Sequence, residues 1–185
     1  MDTSLTEVVA ALRAGGVVAY PTEAVYGLGC DPDNRSACER LFAIKHRPPS
    51  QGVLLIAAEF ASFEKYIDLP AVPAPAMVRA TATWPGPHTW IFPRAPDAPA
   101  WLAREHTGIA VRVTAHEPAA ALCRAFGGAL VSTSANRHGE PPARTAAQVA
   151  AVFGGNLDAI LNGPVGGLER PTPIRDAISG AIVRS

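Results

Sequence analysis

The chain has 185 residues, 48% of them hydrophobic, which is enough for one well-buried core and leaves no obvious room for two complete domains, so we predict a single domain over 1–185. Sixteen basic and sixteen acidic residues give a formal net charge of zero, which excludes a global attraction to nucleic acid or to an anionic membrane. No signal peptide and no apolar run of membrane-spanning length is evident, so we expect a cytosolic protein. Cys30, Cys38 and Cys123 show no C-x-x-C pairing, and we interpret them as structural thiols.

Hydrophobic periodicity and turn residues divide the chain into alternating helices and strands. Two helices are expected to begin with an S-x-x-E capping box, formed by Ser4 with Glu7 and by Ser36 with Glu39. In chain order we predict a helix at 5–12, a strand at 17–20, a loop at 21–29, a helix at 36–45, a strand at 53–56, helices at 59–67 and 76–84, a strand at 89–92, an irregular segment at 93–107, a strand at 109–114, a helix at 118–126, a strand at 129–131, a helix at 145–153, a strand at 159–161 and a terminal hairpin joining 177–178 to 181–184. This order predicts a mixed α/β (α+β) fold whose sheet is not purely parallel.

Two cations, Lys45 and Arg47, lie one residue apart where the second helix reaches Pro48. A proline disfavours helical geometry in the residue before it, so we expect Arg47 at the break and Lys45 in the last turn, exposed to a cleft. The sequence contains no G-x-x-x-x-G-K loop and no G-x-G-x-x-G loop, which makes this pair the best candidate for binding a polyphosphate. The alternative is an ordinary helix end, where the helix dipole stabilises cations.

Two polar features lie within or directly after predicted strands. Arg112 lies within an alternating apolar strand, so its guanidinium requires a carboxylate, a phosphate or an open cleft, and a buried acidic partner is an equally good explanation. The segment STSAN at 132–136 follows another strand and offers hydroxyl and amide groups that suit phosphate or carboxylate oxygens, although an ordinary polar turn explains it as well. Neither feature identifies a function by itself.

Five segments occur in the order found in the YrdC/Sua5 family. They are PTEAVYGL at 21–28, K-x-R-P at 45–48, WPGPHT at 84–89, AVRV at 110–113 and STSAN at 132–136. The resemblance extends from about residue 8 to 184, and the chain resembles the short, single-domain threonylcarbamoyl-adenylate synthases of that family. It implies an open, twisted mixed sheet with flanking helices around a concave cleft.

The resemblance implies a reaction that joins L-threonine, bicarbonate and ATP, with Mg²⁺ accompanying the nucleotide, into threonylcarbamoyl-AMP and pyrophosphate. Proteins of a threonylcarbamoyl-transferase complex would then pass the group to adenosine 37 of tRNAs that read codons beginning with A, and a direct contact with tRNA stays open. By the same resemblance, the catalytic and ATP-binding residues are Lys45, Arg47, Ser134 and Asn136, with Arg184 also on the nucleotide, and the threonine-binding residues are Thr22, Arg112, Ser132 and Thr172.

The chemistry of these residues suits those roles. Cations neutralise charge on the phosphates while hydroxyl and amide groups fix their orientation. The fork of Arg112 matches a carboxylate, and Tyr26 or Leu28 is expected to form an apolar wall for the threonine methyl group. Glu23 stands where many family members have an aspartate.

Two alternatives remain open from the sequence. The first is a double-stranded RNA-binding or tRNA-binding module without catalysis, against which the zero net charge argues. The second is carbamoyl-adenylate chemistry on another acceptor, as in the similar domain of hydrogenase-maturation proteins. Only the second should proceed without threonine.

Overall fold

The computed structural model describes residues 3–46, 52–103, 106–137, 139–170 and 173–184. The strands in these ranges are Val18–Pro21 (β1), Tyr26–Gly29 (β2), Leu54–Ala57 (β3), Thr89–Pro93 (β4), Gly108–Val113 (β5), Leu130–Ser134 (β6), Ala159–Ile160 (β7), Ile174–Asp176 (β8) and Ile182–Arg184 (β9). The α-helices are Leu5–Arg13 (α1), Arg35–Lys45 (α2), Ala74–Thr81 (α3), Ala100–Ala103 (α4), Glu117–Phe126 (α5) and Ala146–Phe153 (α6), and 3-10 helices occupy Phe60–Tyr66, Leu69–Ala71 and Gly154–Asn156.

The strands of the described ranges form one sheet in the order β7-β1-β2-β6-β3-β5-β4-β8-β9. Three neighbouring pairs are parallel (β1 with β7, β3 with β5, and β4 with β8), and the other five are antiparallel. The prediction of a mixed sheet is therefore confirmed. A terminal hairpin is also present and its second strand is where predicted, but its first strand is Ile174–Asp176, and the predicted 177–178 lie in the turn.

Helix starts follow side-chain caps. At α1 the Ser4 hydroxyl accepts from the Glu7 amide at 3.3 Å while the Glu7 carboxylate accepts from the Ser4 amide at 2.7 Å, which confirms the first capping box. The second prediction was wrong. α2 is capped by Asn34, whose side-chain oxygen accepts from the Ala37 amide at 3.0 Å, because asparagine caps a helix as well as serine does and lies two residues earlier than Ser36.

The predicted loop at 21–29 is half strand. β2 forms a tight hairpin with β1, in which the Thr22 amide donates to the Val25 carbonyl at 3.0 Å. Gly27 and Gly29 obscured this strand, since glycine disfavours strands. Here glycine makes room: a Cβ at Gly29 would lie 2.5 Å from the Val131 carbonyl oxygen. The segment predicted as a helix at 59–67 is also tighter than expected, a 3-10 helix at Phe60–Tyr66.

Side chains alternate across the sheet, and its two faces are covered differently. One face carries Leu28, Leu55, Val111 and Val131 in the larger core cluster, packed against α2 and the 3-10 segments. The other face carries Tyr20, Ile56 and Leu130 in a smaller cluster that is covered by α1 and α5. The free thiols of Cys30, Cys38 and Cys123 lie within these cores, consistent with a structural role.

The second face is only partly covered, and this determines where a ligand can bind. Strand register places Gly27 beside Ser134, Leu54 beside Ser132 and Ile56 beside Arg112, all on the face of the smaller cluster. Beyond α1 and α5 the side chains of this face are half-buried, those of Leu54, Ala110, Arg112 and Ser134 among them. No helix in the ranges listed above is long and apolar enough to span a membrane.

Candidate active site

Three of the four residues of the implied reaction centre meet at the end of β6. The Lys45 ammonium donates to the main-chain carbonyl of Ser134, to that of Asn136 at 2.7 Å, and to Asn136 Oδ1 at 3.5 Å. The Ser134 hydroxyl donates to Asn136 Oδ1 at 2.6 Å, and Asn136 Nδ2 donates to the carbonyls of Arg137 and Glu140 at 2.9 and 2.8 Å. The turn after β6 is thus a connected polar network rather than an ordinary loop.

Lys45 lies in a different environment from the one predicted. Its exposed fraction is 4%, so it is buried and not exposed to a cleft. The reason is helical spacing: Lys45 follows Phe42 by three residues and Leu41 by four, so all three side chains lie on the buried side of α2, which ends at Lys45 with His46 in the left-handed conformation (φ 51°). The break therefore comes one residue before Arg47. Arg47 itself lies outside the described residues.

Arg112 has both a carboxylate partner and access to the partly open face. Its Nη1 donates to Glu23 Oε2 at 3.3 Å, and the two side chains are 13% and 10% exposed. The Thr114 hydroxyl donates to the other oxygen, Glu23 Oε1, at 2.6 Å. Among the described residues, Arg112 Nε is the one buried side-chain nitrogen or oxygen without a hydrogen-bond partner. A buried donor without an acceptor is costly, which favours a ligand at this position.

Ser132 and Thr22 flank Gly27 on the same face. A Cβ added at Gly27 would lie 3.3 Å from both the Ser132 hydroxyl oxygen and the Thr22 methyl carbon. Both residues are buried, and the Thr22 hydroxyl donates to the Val25 carbonyl at 2.7 Å. A Cβ at this position would be closer to both groups than ordinary van der Waals contact, so glycine allows the close packing of Ser132 and Thr22 on β2.

The proposed apolar wall was placed on the wrong face. Leu28 belongs to the core cluster opposite Ser132, because adjacent residues of a strand point to opposite sides of the sheet. Tyr26 lies on that opposite side as well, and its hydroxyl donates to the Gly163 carbonyl at 2.7 Å. Burial raises the pKa of Tyr26, which keeps this donor protonated.

A glycine-rich segment, 163–168, packs against the backbone of Thr22 and Glu23. The Gly166 amide donates to the Thr22 carbonyl at 2.9 Å and the Leu168 amide to the Glu23 carbonyl at 3.2 Å. A Cβ at Gly166 would lie 2.5 Å from the Glu23 carbonyl oxygen, so this approach requires glycine. The glycine-rich segment therefore holds the backbone of Thr22 and Glu23 by two hydrogen bonds.

Of the remaining predicted residues, one lies at the sheet edge and one lies outside the described ranges. Arg184 lies in β9 at the sheet edge, paired with Ile174, and is exposed. Two strands, β4 and β8, lie between β9 and the strand that carries Arg112, and the register of β8 with β9 shifts between Ile174 and Arg175. Thr172 lies outside the described residues. The structure thus brings Lys45, Ser134 and Asn136 into one network and Thr22, Ser132 and Arg112 onto one face.

The sequence alone did not identify Glu23 and Thr114 as part of the site. Both are buried polar residues, and Thr114 directly follows β5. The one available signal was Arg112, a cation in an apolar strand that required an acidic partner. No spacing rule connects Glu23 to Thr114, which is 91 residues away.

Comparisons with known proteins identify the family of the chain. Residues 10–185 match the model of the Sua5/YciO/YrdC family, described as telomere recombination. The chain is 57% identical to a threonylcarbamoyl-AMP synthase of Halorhodospira halophila over 95% of this chain and 91% of that one, and 51% identical to one of Stenotrophomonas maltophilia over 100% and 99%.

A solved structure shares the fold. P. abyssi Sua5 complexed with L-threonine superimposes with a TM-score of 0.87 at 30% identity, over 93% of this chain and 50% of that one. The chain therefore spans about half the length of that Sua5 and nearly the whole length of the two synthases. On the match to the family model and to these full-length relatives, the chain belongs to the Sua5/YciO/YrdC family.

Proposed function

We infer that this chain is a threonylcarbamoyl-AMP synthase, an enzyme that makes threonylcarbamoyl-AMP and pyrophosphate from L-threonine, bicarbonate and ATP. The observation that carries the inference is identity above 50% to synthases of that name over at least 91% of their length. The pocket agrees with it, because a polar network at the end of β6 and a buried arginine on the same face provide one subsite for phosphate and one for a carboxylate.

The reaction forms two bonds in sequence. The threonine amine attacks the carbon of bicarbonate, with loss of water, and forms an N-carboxylate. An oxygen of that carboxylate then attacks the α-phosphorus of ATP, and the bond from this phosphorus to the bridging oxygen of the β-phosphate breaks to release pyrophosphate. Negative charge accumulates on the phosphates in the second step, so fixed cations and donors are the principal requirement.

We assign the phosphate subsite to the network of Ser134, Asn136 and Lys45, together with Arg47 and Arg184. Lys45 fixes the turn by its bonds to the carbonyl oxygens of Ser134 and Asn136 and places a positive charge directly beneath it. The Ser134 hydroxyl and the Asn136 amide are thereby held in one orientation before ATP binds, which is the arrangement that lowers a reaction barrier most.

We assign the threonine subsite to Arg112, Thr22, Ser132 and Thr172. The unpartnered Nε of Arg112 is a donor available for the threonine carboxylate. The Ser132 hydroxyl and the Thr22 methyl group lie near each other beside Gly27 and would provide a polar and an apolar contact for the two branches of a threonine side chain.

We propose that Mg²⁺ enters with ATP. The described residues contain no group of three or more histidine, cysteine, aspartate or glutamate side chains that could hold a metal ion. Asn136 Oδ1 already accepts from Lys45 and from Ser134, so the Ser134 hydroxyl oxygen would be the ligand from this network to an ion that keeps water and phosphate oxygens as its other ligands. When bound, the ion would supply charge neutralisation on the phosphates.

We further propose a cytoplasmic location and transfer of the product to tRNA. The mixed anhydride of a carbamate and a phosphate is labile, so partner proteins of a threonylcarbamoyl-transferase complex would have to accept it quickly. One domain over 1–185 would then perform the activation step alone.

The decisive test measures pyrophosphate release from ATP with threonine and bicarbonate each omitted in turn. We expect release only when both are present. Release that does not depend on threonine would overturn the inference and favour chemistry on another acceptor, and tight tRNA binding without any release would favour a non-catalytic module. Serine and valine are matched controls for threonine, since each lacks one of its two side-chain groups.

A further inference from the structure

Glu23 is the central residue of a short series of hydrogen bonds that ends at Arg112. Thr114 donates to Glu23 Oε1 at 2.6 Å, and Arg112 Nη1 donates to Glu23 Oε2 at 3.3 Å. The glutamate is 7% exposed and Thr114 is 2% exposed. The Thr114 hydroxyl oxygen also accepts from the His116 amide at 3.1 Å, so this series of hydrogen bonds begins in the turn that leads into α5.

These hydrogen bonds restrain the orientation of the Arg112 guanidinium. An arginine side chain has four rotatable bonds, and fixing it costs conformational entropy unless a partner holds it. Glu23 contacts Nη1 and leaves the buried Nε without an acceptor. The Nε side of the guanidinium is therefore left for a ligand before any ligand binds.

We propose that Glu23 is a positioning residue: it holds Arg112 so that its unpartnered edge faces the amino-acid carboxylate, and Thr114 in turn holds Glu23. The proposal rests on the proposed function, in which Arg112 binds threonine. It requires a carboxylate at this position, because a carboxylate offers one acceptor oxygen to the Arg112 guanidinium and another to the Thr114 hydroxyl, whereas a glutamine offers only one oxygen.

The same geometry distinguishes this role from proton transfer. Each oxygen of Glu23 already accepts a hydrogen bond within the protein, and the backbone at this position is fixed by the glycine-rich segment. A general base needs an oxygen in reach of the threonine amine. Glu23 thus affects how tightly threonine binds, whereas the bond-making steps keep their rate once threonine is bound.

The experiment compares Glu23→Gln, Thr114→Val and Thr114→Ser in pyrophosphate release at saturating ATP and bicarbonate, with threonine varied. We expect Glu23→Gln to raise the KM for threonine about tenfold and to change kcat less than about twofold, since a glutamine would turn an N–H group toward Arg112 or lose the bond from Thr114. Thr114→Val should raise the same KM by a smaller factor. Thr114→Ser keeps the hydroxyl and should restore the wild-type value.

The background variant Arg112→Ala separates this proposal from the function on which it rests. If Arg112→Ala raises the threonine KM and Glu23→Gln has no additional effect in that background, Glu23 acts through Arg112 as proposed. If Arg112→Ala raises the KM and Glu23→Gln alone does not, positioning by Glu23 is refuted and the carboxylate assignment stands. If Arg112→Ala leaves the KM unchanged, the carboxylate assignment fails first. Thermal unfolding identifies a variant that does not fold, and in that case Thr114→Val against Thr114→Ser decides.

Discussion

Replacement of Lys45 by methionine tests the most unexpected feature of the site, its buried ammonium. Methionine keeps most of the apolar length of the side chain and removes the donor that Ser134 and Asn136 share. Each bond to a charged donor contributes about 1.5–3 kcal/mol, and the variant no longer bears the cost of burying an ion, so we expect the free energy of unfolding to fall by about 2–4 kcal/mol. For a chain of this length that is a decrease in Tm of roughly 5–15 °C.

Two companion variants make the measurement specific. Lys45→Ala also removes about three buried methylene groups and should lower the free energy of unfolding by about 2 kcal/mol more. Arg35→Ala removes another cation of α2, whose ion pair with Glu39 is exposed (70% and 57%). This variant should change the free energy of unfolding by less than about 0.5 kcal/mol.

The assay is urea unfolding followed by far-UV circular dichroism, with pyrophosphate release measured on the same preparations at a temperature where every variant is folded. We expect the two Lys45 variants to lose at least about 100-fold in turnover, because the turn that orients Ser134 and Asn136 loses its anchor. A methionine variant as stable as the wild type would refute the buried network. Full turnover in a destabilised variant would show that the network serves stability alone.

Two other predictions concern the elements that support the site. Asn34→Ala should lower the free energy of unfolding by about 1 kcal/mol while Ser36→Ala leaves it nearly unchanged, which urea unfolding checks directly, since Asn34 caps α2. Burial raises the pKa of Asp158, but hydrogen bonds from Arg40 and a main-chain amide outweigh it and leave the pKa below its ordinary 3.8. The stability that this carboxylate contributes is therefore complete above its unfolded pKa and is lost as the pH falls through the lower folded value. The difference in unfolding free energy between wild type and Asp158→Asn should narrow over that acid range, and a constant difference would contradict the assignment.

Much of the fold could be predicted from the sequence because its elements carry local signals. The capping box at Ser4 and the alternation around Arg112 each depend on residues a few positions apart, and both predictions were confirmed. β2 was missed for a non-local reason: its glycines are required by contacts with Tyr20 and Val131, which no local pattern reports.

The site shows the same division. Family motifs led to Ser134 and Asn136, yet the buried Lys45 ammonium bonds to main-chain carbonyls 89 and 91 residues away, which no local pattern reports. The partner of Arg112 depends on the approach of a loop to β5, which only the three-dimensional arrangement reveals. Chemistry-bearing residue types were visible in the sequence, whereas their hydrogen-bond partners were not.

The position of β6 also bears on how the chain folds as it is synthesised. β6 lies between β2 and β3 in the sheet, although more than seventy residues separate it from β3 along the chain. Until Leu130–Ser134 has left the ribosome, β2 and β3 each expose an unpaired strand edge, and such edges are sites of mispairing with other chains. Completion of the sheet must therefore wait for the strand that carries Ser132 and Ser134, and a nascent chain that stalls before it should depend on chaperones. The last central strand to be made is thus also the one that brings residues we assign to the reaction and to threonine binding.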